Sequence, residues 1–365
     1  VRRAFLAGKD EHTGHDYSHR REWIRKRMEI LSAVFGVDTL VYSIMSNRMH
    51  LVLRARPDVV ETWSDREAAL RWLKLFPGRR IDEHLAQPTK IDVNSLAGDP
   101  LRMKEVRARL SDSSWFMRSL SEPIARMANK QDKCTGRFWE GRFKAQRITD
   151  EAGLLACAVY VDLSPVRAAM ADSPESSTTS GHTSAYDRMA GSVRGKKAES
   201  AALDIAPVSR EQAAEETKTQ TPAQRKQAVA RRKMAKASQR LPVDSWLAPL
   251  TLNERGRPGV KPSKSKVRAS DRGFLAMSLK DYLKLLAWTG RQGQLEKRGK
   301  IPLHLSPIVE QIGIEPEMWA DLVWNFEHYF GKCPAAGSPK SLQADAARRG
   351  KSWSPGQSAL REFFV

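Results

Sequence analysis

Arg48-Met49-His50 opens a run of alternating polar and apolar residues, Arg-Met-His-Leu-Val-Leu-Arg-Ala over 48–55. Side chains two apart on a strand leave it on one face, so Arg48 and His50 stand together with Met49 behind them. A neutral imidazole can ligate a metal, whereas a guanidinium keeps its charge and offers no lone pair. Taken alone, a strand histidine reads as a structural side chain with its hydrogen bonds met. A second stretch, 136–147, alternates Arg137, Arg142, Lys144 and Arg147 with Phe138, Trp139 and Phe143. Such cations neutralise phosphates, and an exposed ring, Trp139 foremost, would stack on unpaired bases. Phe138 and Phe143 are expected in the core, and Glu140 in a surface ion pair rather than acting as a base. His12, His15, His19 and Asp16 imitate a ligand set, but their polar, glycine-containing setting reads as a loop. The run Arg231-Arg232-Lys233 reads equally as solvated charge and as a sequence-blind contact to DNA.

The elements that would position these residues follow from periodicity. Trp23, Ile24, Leu31, Val34 and Phe35 mark a helix over 21–35 closed by Gly36. Strands over 38–45 and 48–55, broken by Ser46-Asn47, predict a hairpin. Residues 56–112 read as a helical insertion or covering layer, and 113–130 as a helix in which Pro123 kinks the chain or starts a new helix. Thr149 is expected to cap a helix ending near Asp162. Later helices are expected from Ser278 to Gly290 and from Pro316 to Gly331.

The chain has 365 residues and a formal net charge of +20, from 62 Lys and Arg against 42 Asp and Glu. Between 193 and 275 there are 19 Lys and Arg against 8 Asp and Glu, a net of +11, so more than half of the excess lies in a polar segment. The predicted organisation is a domain over 1–190 with the insertion at 56–112, a basic and disordered linker over 191–272, and a small all-α domain over 273–365. Strong positive charge points to nucleic acid. Three widely spaced cysteines fit a reducing cytoplasm. No apolar run suits a membrane span, and the opening Val-Arg-Arg-Ala-Phe-Leu lacks the apolar core of a signal peptide, so neither membrane nor secretion is expected.

Ser46-Asn-Arg-Met-His-Leu-Val-Leu53 resembles the Asn-His-x-His-hydrophobic block of the IS200-like transposases, single-tyrosine members of the His-hydrophobic-His (HUH) nucleases. Asn129, Gly136-Arg-Phe-Trp-Glu-Gly-Arg-Phe-Lys144 and Tyr160-Val-Asp-Leu-Ser-Pro-Val-Arg-Ala168 are similar to later blocks of the same family, in order, over about residues 1–190. The nearest type is the REP-associated tyrosine transposases of bacterial mobile elements.

The resemblance implies an α+β fold, a ferredoxin-like antiparallel sheet flanked by helices, usually dimeric, acting on single-stranded or hairpin DNA near the nucleoid. It implies Mg²⁺ or Mn²⁺ held by two strand histidines and a helix side chain, and a helix tyrosine that attacks the phosphate. Carried over by position, His50 matches the second metal histidine and Asn129 a third ligand, but Arg48 stands where the first histidine belongs. The nucleophile's place, one turn before Asn129, holds Ile124 and Ala125. Tyr160 matches a family tyrosine whose expected role is packing, with a relocated nucleophile as the weaker reading. Two expectations follow. Either the chain is an active transposase that cuts and joins DNA, or it is a decayed or domesticated relative that binds DNA through Arg48, Arg137, Trp139, Arg142, Lys144, Arg147, Arg231, Arg232 and Lys233.

Overall fold

The computed structural model describes residues 5–10, 13–78, 87–168, 170, 183–192, 242–252, 262–292 and 301–364. Helix α1 (His19–Val34) packs one face inward through Ile24, Met28 and Leu31 before the chain turns at Gly36 into β1 (Val37–Ile44). β1 pairs antiparallel with β2 (Met49–Ala55) as the expected hairpin, its two-residue tip closed by Met45 N–H donating to the Arg48 carbonyl at 2.8 Å. Partner pairs run Thr39 with Leu53 and then Val41 with Val52, so Leu40 is an extra residue in β1. A bulge of this kind shifts the alternation by one. Val37, Tyr42 and Ile44 therefore share the face packed on α1, while Leu40 and Val41 join Val52 on the opposite face.

The layer against α1 consists of α2 (Pro57–Glu61), α3 (Asp65–Leu75), α4 (Lys90–Ala97), α5 (Pro100–Leu110) and α6 (Ser113–Gln131). Ser64, Thr89, Asp99 and Asp112 cap α3 to α6 by accepting backbone N–H groups of the first turn. The 56–112 stretch is thus a covering helical layer, with Trp63 and Trp72 buried in it. Pro123 neither breaks α6 nor restarts it: the helix runs through.

The opposite face of the hairpin receives α7 (Glu151–Asp162), which is apolar nearly all round because it is buried on both sides. Asp150, rather than Thr149, caps α7, accepting from Gly153 N–H at 2.8 Å, while the Thr149 hydroxyl meets the Ala336 carbonyl and Ser341. Further along the chain from α8 (Ser164–Arg167) lie α9 (Leu279–Arg291), α10 (Ser306–Gln311), α11 (Trp319–Trp324), α12 (Phe326–Phe330) and α13 (Pro339–Arg348). The single helix expected over 316–331 is interrupted at Asn325 (φ −103°, ψ 23°), which yields α11 and α12. Two short strands, β3 (Arg147–Ile148) and β4 (Ala335–Ala336), pair in parallel. The architecture is mixed α/β, a small two-stranded antiparallel sheet flanked by helices, and among the described residues no helix is long and apolar enough to cross a membrane.

Residues 1–186 and 246–365 make one compact unit and 187–245 a second. Two boundaries drawn from composition are corrected by this. The region 273–365 is not a separate domain, because Tyr282, Leu285, Trp319, Leu322 and Phe330 share one apolar core with α7. The linker does not extend to 272 either. Trp246, Leu247, Ala248 and Leu250 are buried, and Ala248 N–H donates to the Thr39 carbonyl on the free edge of β1 at 3.0 Å. Buried Asp38 then accepts from Ser270 N–H (3.0 Å), Ser270 Oγ (2.7 Å) and Arg54 (2.8 and 3.0 Å), with Arg56 at 3.3 Å. Composition averaged over a window hid these few anchoring residues within charged sequence. Residues 193–241, most of the expected linker, lie outside the described residues.

Candidate functional site

Three elements meet at His50. β2 presents His50, Val52 and Arg54 toward α7, as the strand alternation requires, and Arg48 stands on the same side at the hairpin tip. α7 supplies Tyr160 from its last turn. Its first turn carries Gly153, where a Cβ would lie 2.7 Å from the Ala336 carbonyl oxygen, so only glycine lets β4 approach this closely. The residue before β3 and the C-terminal helices are further joined by the Gln146 amide, which donates to the Phe330 and Cys333 carbonyls at 2.6 and 2.8 Å. That docking brings α12, with Phe326 and Glu327, to Tyr160.

The Tyr160 hydroxyl donates to Glu327 Oε1 at 2.8 Å, and Arg48 Nη1 lies 3.7 Å from the same oxygen. The Arg167 guanidinium sits 4.4 Å from the Tyr160 ring centre, Phe326 stacks on that ring at 4.8 Å, and the His50 ring meets it edge-on at 5.8 Å. Burial, with the charge of Arg48 next, pushes His50 down to about 4, so its imidazole is neutral at pH 7. Burial and the bond to Glu327 push Tyr160 up to about 12, the opposite of what a phenolate nucleophile requires. The Tyr160 hydrogen bond and then the nearby guanidinium groups hold Glu327 below the ordinary carboxylate range.

These residues do not suit the divalent cation implied by the resemblance. A cation at His50 would face the Arg48 guanidinium, and the one nearby carboxylate already serves Tyr160 and Arg48. Among the described residues no group of three or more His, Cys, Asp or Glu side chains could hold a metal. Asn129, the expected third ligand, donates through Nδ2 to the Gly136 carbonyl at 2.9 Å, and its Oδ1 is buried without a partner among the described residues. It fastens the turn leading into the basic-aromatic stretch. Ile124, at the expected nucleophile position, is fully buried in the core.

The 136–147 stretch divides by exposure. Phe138 is core, as expected, whereas Phe143 is 44% exposed, contrary to expectation, because no described element covers this loop residue. Trp139 is half-buried and donates its indole N–H to the Ser121 carbonyl at 2.8 Å, which pins the ring to α6. Arg137, Arg142 and Lys144 are exposed. Arg147 is committed to buried Asp345 at 2.9 Å, and so helps seat α13. Arg231, Arg232 and Lys233 lie outside the described residues.

Sequence reasoning missed Glu327, Phe326 and Arg167. Glu327 lies 167 residues beyond Tyr160, and nothing local marks it. Arg167 was visible within the Ser-Pro-Val-Arg block, and a cation seven residues after a buried tyrosine on a short helix could have been tried as its neighbour. No family model, curated protein or solved structure matches the chain.

Proposed function

We propose that this protein binds single-stranded or hairpin DNA as a non-cutting relative of the IS200-like transposases, its hairpin and α7 belonging to a ferredoxin-like arrangement, in the bacterial cytoplasm. One observation carries the non-cutting part. Arg48 pairs with Glu327 beside a neutral His50, and the same carboxylate holds the Tyr160 phenol protonated within the core. A positive side chain takes the metal's side of His50, and Tyr160, the tyrosine against His50 among the described residues, is built into the packing. The binding part is supported by the net charge of +20 and by exposed Arg137, Arg142, Phe143 and Lys144 on one loop, suited to phosphates and an unpaired base.

The test is anisotropy of labelled hairpin, single-stranded and random duplex DNA across a salt series, alongside incubation of the hairpin with Mn²⁺ and denaturing electrophoresis. Hairpin or single strand should bind more tightly than duplex, with no covalent protein–DNA product. An adduct mapped to Tyr160 would show that the chain cuts. Equal affinity and salt slope for hairpin and duplex would remove the recognition claim.

A further inference from the structure

A cavity of about 530 Å³ opens between α1, the end of α3 and α6, and shares no residue with the His50–Tyr160 cluster. Arg27 lines it from α1, Phe76 follows α3, and Ser119, Arg126 and Met127 come from α6. Pro123 explains how Arg27 is held. Proline has no N–H, so the Ser119 carbonyl one turn earlier lacks its helical partner. Arg27 Nε supplies the missing donor at 2.9 Å, which fixes the guanidinium at the wall of the cavity. Its two terminal nitrogens have no acceptor and no carboxylate among the described residues, and burial pulls its pKa below the ordinary value.

A half-buried guanidinium without a counterion is costly, and an anion relieves the cost. A second unmet group adds polarity to this wall: Ser119 is 5% exposed, and its hydroxyl, sealed from solvent, has no hydrogen-bond partner among the described residues. At the rim Arg118 and Arg126 share one carboxylate, Glu122, so three guanidinium groups face a single acid. The rest is apolar. Phe76 is held by Trp72 at 4.2 Å and Trp115 at 5.8 Å, and Met127 is 42% exposed. A charged wall opposite a rigid ring, in a volume usual for small-molecule sites, selects a ligand that is anionic at one end and planar at the other.

We propose that this cavity binds a nucleotide, its phosphate on Arg27 and its base against Phe76 and Met127. The nucleotide is either free or one unit of a strand, since both carry the same phosphate ester and base. The proposal does not rest on the DNA-binding reading.

Isothermal titration of the whole chain with a nucleoside monophosphate, inorganic phosphate and a single-stranded oligonucleotide tests it. The monophosphate should saturate one site and bind more tightly than phosphate alone. Arg27→Gln keeps a donor for the Ser119 carbonyl but removes the charge, and should weaken nucleotide binding at least tenfold. Met127→Trp blocks the cavity from an exposed position and should do the same with an unchanged melting temperature, which keeps the test sound if Arg27→Gln is unstable. An oligonucleotide that displaces the monophosphate and is weakened by both variants identifies a strand as the source. An oligonucleotide that does not compete identifies the free nucleotide. If hairpin, single-stranded and duplex DNA all fail to bind in the anisotropy series while the monophosphate still saturates, the DNA-binding reading ends and this one stands. If neither the monophosphate nor the oligonucleotide binds, or if well-folded variants bind the monophosphate like the parent, the proposal is wrong.

Discussion

Asp38→Ala tests whether residues 262–273 belong to the folded unit. Asp38 is 1% exposed and accepts from Ser270 N–H, Ser270 Oγ and Arg54, with Arg56 at 3.3 Å. Removing the carboxylate leaves Arg54 and Ser270 without their shared acceptor. Arg56 keeps Asp58 at 2.6 Å, and Arg54 keeps the Gly273 and Arg272 carbonyls at 2.9 and 2.7 Å, so part of the loss is cushioned. Breaking a buried pair by removing one partner costs about 3–5 kcal/mol, and those surviving contacts put this one near the lower end, ~3 kcal/mol. Asp38→Asn, which keeps the shape and one acceptor, should cost less. Urea unfolding at a constant m-value reads the loss, and limited proteolysis should show new cleavage between 262 and 273 in Asp38→Ala before the unit unfolds globally. A loss below about 1 kcal/mol with no new cleavage would refute the anchoring role, because an exposed pair is worth no more than that.

Three further outcomes are expected. Gly153→Ala places a methyl 2.7 Å from the Ala336 carbonyl, so β4 must retreat, and hydrogen exchange at Thr149 N–H, which donates to that carbonyl at 3.0 Å, should quicken sharply. His50 titrates near 4 when folded and near 6.5 when unfolded; the unfolded chain therefore takes up the proton first, and the stability contribution is complete above pH 6.5 and lost toward pH 4. Between pH 7.5 and 5 this amounts to about 2 kcal/mol, which His50→Leu should abolish in pH-dependent denaturation. Glu327→Gln removes the negative charge beside Arg48 and Arg167, so single-stranded DNA should bind more tightly with a salt slope steeper by about 0.7, and Tyr160 should titrate below about 12; an unchanged slope would mean that neither cation meets phosphate.

What was legible in the sequence was local. The hairpin, α1, α6 and α7 were read nearly to the residue because each is marked by its own periodicity and punctuation, Gly36 after α1 and Ser46-Asn47 between the strands. The shared face of Arg48 and His50 followed from strand alternation. The errors arose where a distant partner decided the outcome. Thr149 would cap α7 in isolation, but its hydroxyl is drawn to Ala336 and Ser341, and Asp150 takes over. Trp246 to Leu250 and Ser270 lie in polar, charged sequence, and only β1's free edge and buried Asp38 give them a place. Arg147 pairs with Asp345, a partner 198 residues away that nothing local marks.

The same distinction explains the site. Position 48 alone shows only an arginine two residues before a strand histidine. Its pairing with Glu327 shows what that charge does beside the imidazole. A guanidinium next to buried His50 repels a proton or cation approaching the imidazole, and Glu327 offsets part of that repulsion while accepting the Tyr160 hydroxyl. Arg48→His should therefore not create a metal site by itself, because Glu327 would stay engaged by Tyr160 and Arg167 would keep its charge over the ring. Arg48→His together with Tyr160→Phe frees the carboxylate and leaves two imidazoles and one carboxylate at the same place, a set able to hold a divalent cation. Mn²⁺ titration followed by electron paramagnetic resonance should show no bound metal in the single variant and a bound ion in the double. Equal Mn²⁺ binding by both would mean that Glu327 is not what closes the site.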